Sequence, residues 1–477
     1  MKITFIRPNI GDRPSLDAMT PLVFAYLSAM TPIDVDRVLY DDRIESIPFD
    51  EPTDLVAITV ETYTARRAYW IANQFRLRGV PVVMGGYHPT FMPHEALRYA
   101  DSVAIGDAEG IWNEILNDFK NNELKPVYRQ NALRPLKYIK PDRSIFSGKR
   151  YAPIPLVQYA RGCKYACEFC SISAFYGKNL RQRNISEVIE EIETLNRKHI
   201  FIVDDNIFVD ERKAELFFEA LIPLKIKWSS QVSIDVALNP KLLNLMKKSG
   251  CLSVVVGFES LSFKNLAQMK KGWNLKQNYE TAIERLRDIG VMIYGTFVHG
   301  YDNDTKDTFE ETVNFAIKNK FFLANFNPLT PTPGAKLYTR LKKEGKLLND
   351  PWWLDPNYAY GKATFTPKGM TPTELEEGCF WARKEFNKFQ NIVYRSNDFK
   401  ANMGSPYSSL VFWGANLVSK YEILRKQGSP LGIAQSEIPV LKTDFNFNKP
   451  IFDTTGKIVK NVEEGDPPIY GYGVGEV

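Results

Sequence analysis

Between Ile154 and Asn327, short apolar runs alternate with amphipathic stretches of helical period, and this alternation limits the fold more than any other feature of the chain. The expected strands are Leu156 to Tyr159, His199 to Val203, Lys227 to Gln231, Ser253 to Gly257, Met292 to Val298 and Leu323 to Asn327. Helical periodicity fills the gaps at Ile185 to Arg197, Glu211 to Leu221, Pro240 to Lys248, Leu275 to Ile289 and Thr308 to Asn319. Asn184 followed by Glu187 is a capping-box signature for the first of these helices. Strands that alternate with helices pair in parallel. Six such units fall short of the eight that close a full barrel, so a curved sheet or partial (β/α)6 barrel is expected.

A similar series precedes it. Strands are expected at Ile3 to Ile6, Val35 to Tyr40, Leu55 to Val60, Val82 to Met84 and Ser102 to Ile105, with helices at Pro21 to Met30 and Ala65 to Arg78. This is the pattern of a Rossmann-like, doubly wound parallel sheet, whose ligands lie beyond the carboxyl ends of the strands. Those ends read Thr59-Val60-Glu61, Gly85-Gly86-Tyr87-His88 and Gly106-Asp107-Ala108-Glu109. Glycine there admits a bulky ligand to the backbone, though ordinary tight turns read the same way. No GxGxxG is present, which argues against a nicotinamide domain.

The domain plan is therefore 1–130 as the Rossmann-like sheet, 131–150 as a connector, 151–345 as the partial barrel, and 346–477 as a mainly helical segment with an extended tail. Helices are expected at Thr371 to Phe389 and Ser408 to Arg425. The aromatic residues from Trp352 to Phe386 either line an apolar substrate cavity or pack a small helical domain. There is no internal repeat.

Composition excludes several classes. The 61 Lys and Arg exceed the 56 Asp and Glu by only five, too small a surplus for nucleic-acid binding as the main task. The longest apolar runs, such as Leu252 to Phe258, are far too short for a membrane span. The first residues read as a strand rather than a leader, so a cytoplasmic protein is expected. Five cysteines are too few and too unevenly placed for a disulfide scaffold.

Three of those cysteines, Cys163, Cys167 and Cys170, lie within eight residues at the spacing C-x3-C-x2-C. Three thiolates on one loop suit three irons of a [4Fe–4S] cluster and leave the fourth iron open to a ligand. Zinc would require a fourth nearby Cys or His, and the next candidates, His199 and Cys251, sit in other elements. Cys251 and Cys379 read as plain buried residues.

This loop, placed after the first strand of a six-unit series, resembles the radical S-adenosylmethionine (SAM) enzymes. The resemblance implies that Cys163, Cys167 and Cys170 hold the cluster, that SAM chelates its open iron, and that one electron cleaves SAM to methionine and a 5′-deoxyadenosyl radical. It assigns Phe169, Asp205, Ser233 and Glu259 to SAM. Phe169 is the aromatic before the last cysteine, Asp205 and Ser233 end the second and third strands, and Glu259 lies in a GxES-like segment at the fourth. Asp302 stands where this family carries Pro in a Gly-x-Pro turn.

The first domain resembles the cobalamin-binding domain that precedes the barrel in one branch of the family. The resemblance implies a corrin shelf at Thr59, Glu61, Gly85, Gly86, His88 and Gly106. None of the four histidines lies in a DxHxxG pattern, so no lower axial histidine is expected. The activity implied is methylation of an unactivated carbon, with radical cyclisation, ring contraction or oxidation as the alternative, and a bare-cluster electron-transfer protein as a third reading. A small, hydrophobic or planar substrate and a reductant of the flavodoxin or ferredoxin type complete the expectation.

Overall fold

The computed structural model describes residues 1–461 except 131, 134, 137–138, 275–277, 433–437, 442–449 and 455. Its first sheet comprises Lys2–Arg7 (β1), Asp36–Asp41 (β2), Leu55–Thr59 (β3), Val82–Gly85 (β4), Ser102–Ile105 (β5) and Val127–Arg129 (β6). All neighbours are parallel, in the order β2-β1-β3-β4-β5-β6. The near-continuous apolar runs of β3 and β5 fit this arrangement, because helices cover both faces of such a sheet. Helix Ala65–Arg76 contributes Ala68, Ile71, Ala72 and Phe75 to one side of the core, and helix Leu22–Met30 contributes Phe24 and Leu27 to the other. The sequence reading stops at five strands. The sixth has three residues and follows a charged stretch, so no apolar pattern announces it.

The second sheet comprises Leu156–Val157 (β7), His199–Ile202 (β10), Lys227–Val232 (β11), Cys251–Glu259 (β12), Met292–His299 (β13) and Leu323–Pro328 (β14). It is wholly parallel, in the order β14-β13-β12-β11-β10-β7. No pairing joins β14 to β7, so this is the partial barrel that the six-fold alternation implies. Two further strands, Ala160–Gly162 (β8) and Leu180–Gln182 (β9), pair antiparallel and bracket the cysteine segment. Trp228, Phe258, Phe297, Phe321 and Phe326 fill the space between this sheet and its helices.

The residues after 345 bind the two sheets together. Trp352, Trp353 and Tyr358 belong to the core of the first domain, Phe386 to that of the barrel, and Leu375 and Cys379 pack on Tyr301 and Leu337. Trp352, Trp353, Tyr358, Phe365 and Phe386 are thus packing residues in a core shared with both sheets, whereas Trp381 is exposed. The helix expected at Thr371 to Phe389 is two helices, Pro372–Phe386 and Phe389–Ser396. It breaks at Asn387, whose side-chain amide donates to the Arg383 carbonyl, and at Lys388, which is extended. Helix Pro406–Lys426 follows, and a short hairpin of Ile451–Phe452 (β15) and Ile458–Val459 (β16) lies against the first domain. Among the described residues no helix is long and apolar enough to cross a membrane.

Candidate functional site

The cysteine loop is anchored at both ends. Gly162 adopts φ +93°, and a side chain there would collide with the Asn179 carbonyl oxygen, so only glycine fits. Its N–H donates to Asp205 Oδ2 at 2.8 Å. The Tyr159 N–H donates to the adjacent Asp204 at 2.8 Å, so the end of β10 fixes where the loop begins. Farther on, the Glu168 carboxylate accepts from Arg340 Nε at 2.7 Å, and the Glu168 N–H donates to the Met269 carbonyl at 3.1 Å. Phe169 packs into the cluster formed by Leu266, Met269, Tyr301 and Leu337.

Burial pushes the Cys163 thiol up to about 11 and the Cys167 thiol up to about 12, and raises Cys170 despite N–H groups of Ile172 and Ser173 at its sulfur. The three sulfurs also repel one another as thiolates. A set of buried, mutually repelling thiols is matched by a cationic centre that deprotonates them, which is what a cluster supplies. Among the described residues no His, Cys, Asp or Glu group is spaced for a single metal ion. Three thiolates on one loop are the donor set that a [4Fe–4S] cluster takes from the protein when its fourth iron is left to another ligand.

Around this loop stand polar groups from several strand ends. Glu259 Oε1 is 2.6 Å from Lys271 Nζ, and both side chains are only 10% exposed. Glu259 has a left-handed φ of +62°, and a side chain at Gly257 would collide with its carboxylate. The Glu259 charge acts on Cys167, and that of Asp205 on Cys163 and Cys170. Ser233 accepts from Asn206 Nδ2 at 3.0 Å. Tyr165 stacks on Trp273 with ring centroids 3.6 Å apart, and its hydroxyl donates to Asp235 at 3.1 Å. Asp205, Ser233 and Glu259 therefore gather about the cysteine loop. Lys271 and Trp273, which sequence reasoning missed, join them from a turn with no periodic signal. The turn after β13 needs no proline, because Asp304 Oδ2 accepts from the N–H groups of Gly300 (2.8 Å) and Tyr301 (3.1 Å).

A cavity of about 500 Å³ lies between the two sheets. Thr59, Glu61, Gly85, Gly86 and Gly106 line one side, and Leu156, Gln158, Arg161, Phe175 and Val203 line the other. Gly85 and Ala104 leave its floor flat: a Cβ on Gly85 would rest in ordinary contact, 3.5 Å from the Ala104 Cβ. That shallow, glycine-lined floor is a cradle that a side chain would fill, and it suits a broad flat ring. The two walls are tied together by charge. Arg161, two residues before Cys163, lies 2.6 Å from Glu109 and 3.4 Å from Asp107, and Arg181 lies 2.6 Å from Asp107. Burial alone would raise the Glu109 carboxyl, but Arg161 outweighs it and holds the group below the ordinary range. A second cavity of about 210 Å³ adjoins the first and shares Arg7, Arg43 and Glu61 with it.

His88 is not brought to the cavity. It is fully buried, 3.0 Å from Glu95 Oε1 and 3.1 Å from the Tyr69 hydroxyl, with Trp353 donating to the same carboxylate. The missing signal was distance: Tyr69, Glu95 and Trp353 come from three separate elements. No histidine lines the cavity among the described residues.

Residues 157–316 match the model of the radical SAM superfamily. The chain is 30% identical over 391 residues to the bacteriochlorophyllide d C-12(1)-methyltransferase of Chlorobaculum tepidum, covering 79% of this chain and 83% of that protein. It is 27% identical over 434 residues to the anaerobic magnesium-protoporphyrin IX monomethyl ester cyclase of Cereibacter sphaeroides, covering 79% and 69%. The fold is similar to that of the radical SAM methyltransferase TsrM from Kitasatospora setae, solved with cobalamin and a [4Fe–4S] cluster. That match has a TM-score of 0.58 at 15% identity, over 79% of this chain and 81% of the other.

Proposed function

The chain belongs to the radical SAM superfamily, and from that premise we propose that it is a cobalamin-dependent methyltransferase acting on an unactivated carbon of a planar, largely apolar substrate of tetrapyrrole type. The observation that carries the reading is a cavity bounded on one side by the glycine-lined strand ends of the first sheet and on the other by Arg161 and its neighbours beside the cysteine loop.

When bound, the cluster supplies the electron that cleaves SAM to methionine and a 5′-deoxyadenosyl radical, and the corrinoid supplies the methyl group. The protein's part is holding and shielding. Cys163, Cys167 and Cys170 would hold the cluster. Asp205 keeps the loop in register through Gly162. Glu259 and Lys271 form a buried pair beside the cysteines, able to meet the carboxylate and ammonium ends of an amino acid by exchanging partners. The Tyr165–Trp273 stack covers the loop against water. Thr59, Gly85, Gly86 and Gly106 would lie under the corrin ring.

Relatives of both chemistries support a planar macrocycle as substrate: methyltransferases of bacteriochlorophyllide d and cyclases of magnesium-protoporphyrin IX monomethyl ester. The cyclases match as much of this chain as the first methyltransferase does, which favours radical ring closure as the second reading. A reductant of flavodoxin or ferredoxin type, a cytoplasmic location and no nucleic-acid partner complete the proposal, and the five free cysteines support a reducing compartment.

The test is anaerobic purification with iron, sulfide and corrinoid analysis, followed by turnover with tetrapyrrole esters. Cluster and corrinoid in equal amounts, with a methylated product, are expected. A cluster with no corrinoid uptake, together with a cyclised product, would establish the second reading instead.

A further inference from the structure

Helix Pro406–Lys426 is apolar on two opposite sides. Its inner side seats Phe412 and Asn416 on the barrel, where Asn416 bonds to Arg395 and to the Phe322 carbonyl. Its outer side carries Leu410, Gly414, Leu417, Tyr421 and Leu424 at spacings of 4, 3, 4 and 3 residues, while Tyr407 at the helix start turns its hydroxyl to His199 at 3.0 Å. Leu410 is 70% exposed, Leu417 54%, Tyr421 57% and Leu424 59%.

The stripe does not stand alone. The Phe389 ring lies 6.4 Å from Trp413, so helix Phe389–Ser396 extends the same surface with its exposed Phe389, Val393 and Tyr394. Among the described residues, eleven of the twenty-one exposed large hydrophobic side chains fall between Trp381 and Leu424. A patch this concentrated marks an interaction site.

Charge selects the occupant. Residues 380–428 hold eight Lys and Arg against three Asp and Glu, an excess of five that equals the surplus of the whole chain. Two of the three acids, Asp398 and Glu422, are buried in ion pairs. Arg383 and Arg395 are buried, Lys388 pairs with Glu385 and Lys400 with Asp288. The exposed charge of this segment outside ion pairs is therefore that of Lys384 and Lys420, the latter over the Phe389 ring at 5.9 Å. A second copy docked through this patch would press two such basic faces together, since a two-fold interface matches a surface with itself. An anionic bilayer offers an apolar layer for the leucines, a headgroup level for Tyr421, and negative charge for the lysines.

We propose that the outer face of helices Phe389–Ser396 and Pro406–Lys426 binds an anionic lipid surface, on which the protein lies peripherally. The carboxyl end of the long helix borders the second cavity through Arg425 and Lys426. On the function proposed above, which this last step alone rests on, a lipophilic substrate would enter from the bilayer along that end.

The test is co-sedimentation of the reconstituted enzyme with vesicles of phosphatidylglycerol and phosphatidylcholine in equal parts, against phosphatidylcholine alone, with size-exclusion light scattering in parallel. Binding to the anionic vesicles only, weakened by salt, is expected. Leu410→Glu/Leu417→Glu should abolish it without changing iron content. Lys384→Glu/Lys420→Glu, which leaves the apolar stripe intact, should weaken it by at least about fivefold per lysine. Equal binding by all variants, or no binding by the wild type, overturns the proposal. So does a wild-type dimer that the leucine variant turns into a monomer while neither sediments with vesicles, because a second copy then covers the face. The iron content of each variant separates these results from failure of the enzymatic reading.

Discussion

The two six-stranded parallel sheets share a construction and differ at their carboxyl ends. Those of the first sheet carry Thr59, Gly85, Gly86 and Gly106, small residues that leave a flat floor. Those of the barrel carry charges and thiols: Asp204, Asp205, Glu259 with Lys271, and the nearby cysteines. The same architecture thus makes a shelf in one place and a polar mouth in the other, and Arg161 with Asp107 and Glu109 joins them. The difference teaches that the fold decides where ligands sit, while a few strand-end residues decide which ligands they are.

The sharpest way to break this comparison is to disarm one sheet and leave the other. Replacing Cys163, Cys167 and Cys170 with Ala should remove the cluster and all SAM cleavage, while corrinoid binding at the first sheet persists. Iron analysis and the corrinoid absorption spectrum read the two independently.

A subtler break sits within the barrel mouth. Lys271→Met leaves Glu259 buried without its partner, which costs about 3–5 kcal/mol of stability and should weaken SAM binding at least tenfold with the cluster retained. Equilibrium dialysis with SAM checks the affinity, and thermal unfolding checks the stability. If the double variant Glu259→Gln/Lys271→Met regains stability but not SAM affinity, the pair serves the ligand.

On the shelf, two adjacent glycines should behave differently. Gly85 can accept a side chain without strain, so Gly85→Leu should block the corrinoid and leave the fold and cluster intact. Gly86 has φ +107° and ψ −170°, a region essentially reserved for glycine, and its Cβ would lie 2.8 Å from the Val60 carbonyl, so Gly86→Ala strains the backbone by about 1–3 kcal/mol even before a ligand arrives. Corrinoid titration of both variants beside their melting temperatures separates occlusion from strain.

A further effect concerns acid stability. His299 is fully buried between Phe309 and Phe326, and burial pushes its imidazole down to about 3. The unfolded histidine, near 6.5, takes up the proton first, so folding stability falls as pH drops from about 6.5 toward 3, at about 1.4 kcal/mol per pH unit. His299→Phe should flatten part of that slope in urea unfolding between pH 6.5 and 4.5. An unchanged slope would mean that His299 does not titrate on unfolding. His199, pushed down to about 4, accounts for a further part.

What was legible in the sequence was local. The cysteine spacing, the glycine pairs at strand ends and the order of the strands are each written within a few residues, and the site elements follow from them. What was not legible depends on contacts across the chain. Lys271 meets Glu259 through a turn that has no period. His88, placed beside the shelf by its neighbours in sequence, is instead claimed by Tyr69 and Glu95. Trp352 and Trp353 lie in a segment that looks like a domain of its own, yet they complete the core of the first sheet. No spacing rule carries such partnerships.

The central claim, that both sheets serve one methyl-transfer reaction, is tested most directly by counting products during turnover with SAM carrying a labelled methyl group. The account predicts 5′-deoxyadenosine and S-adenosylhomocysteine in equal amounts, with the label in the product. Deoxyadenosine formed without S-adenosylhomocysteine, from enzyme loaded with cluster, corrinoid and true substrate, would contradict it.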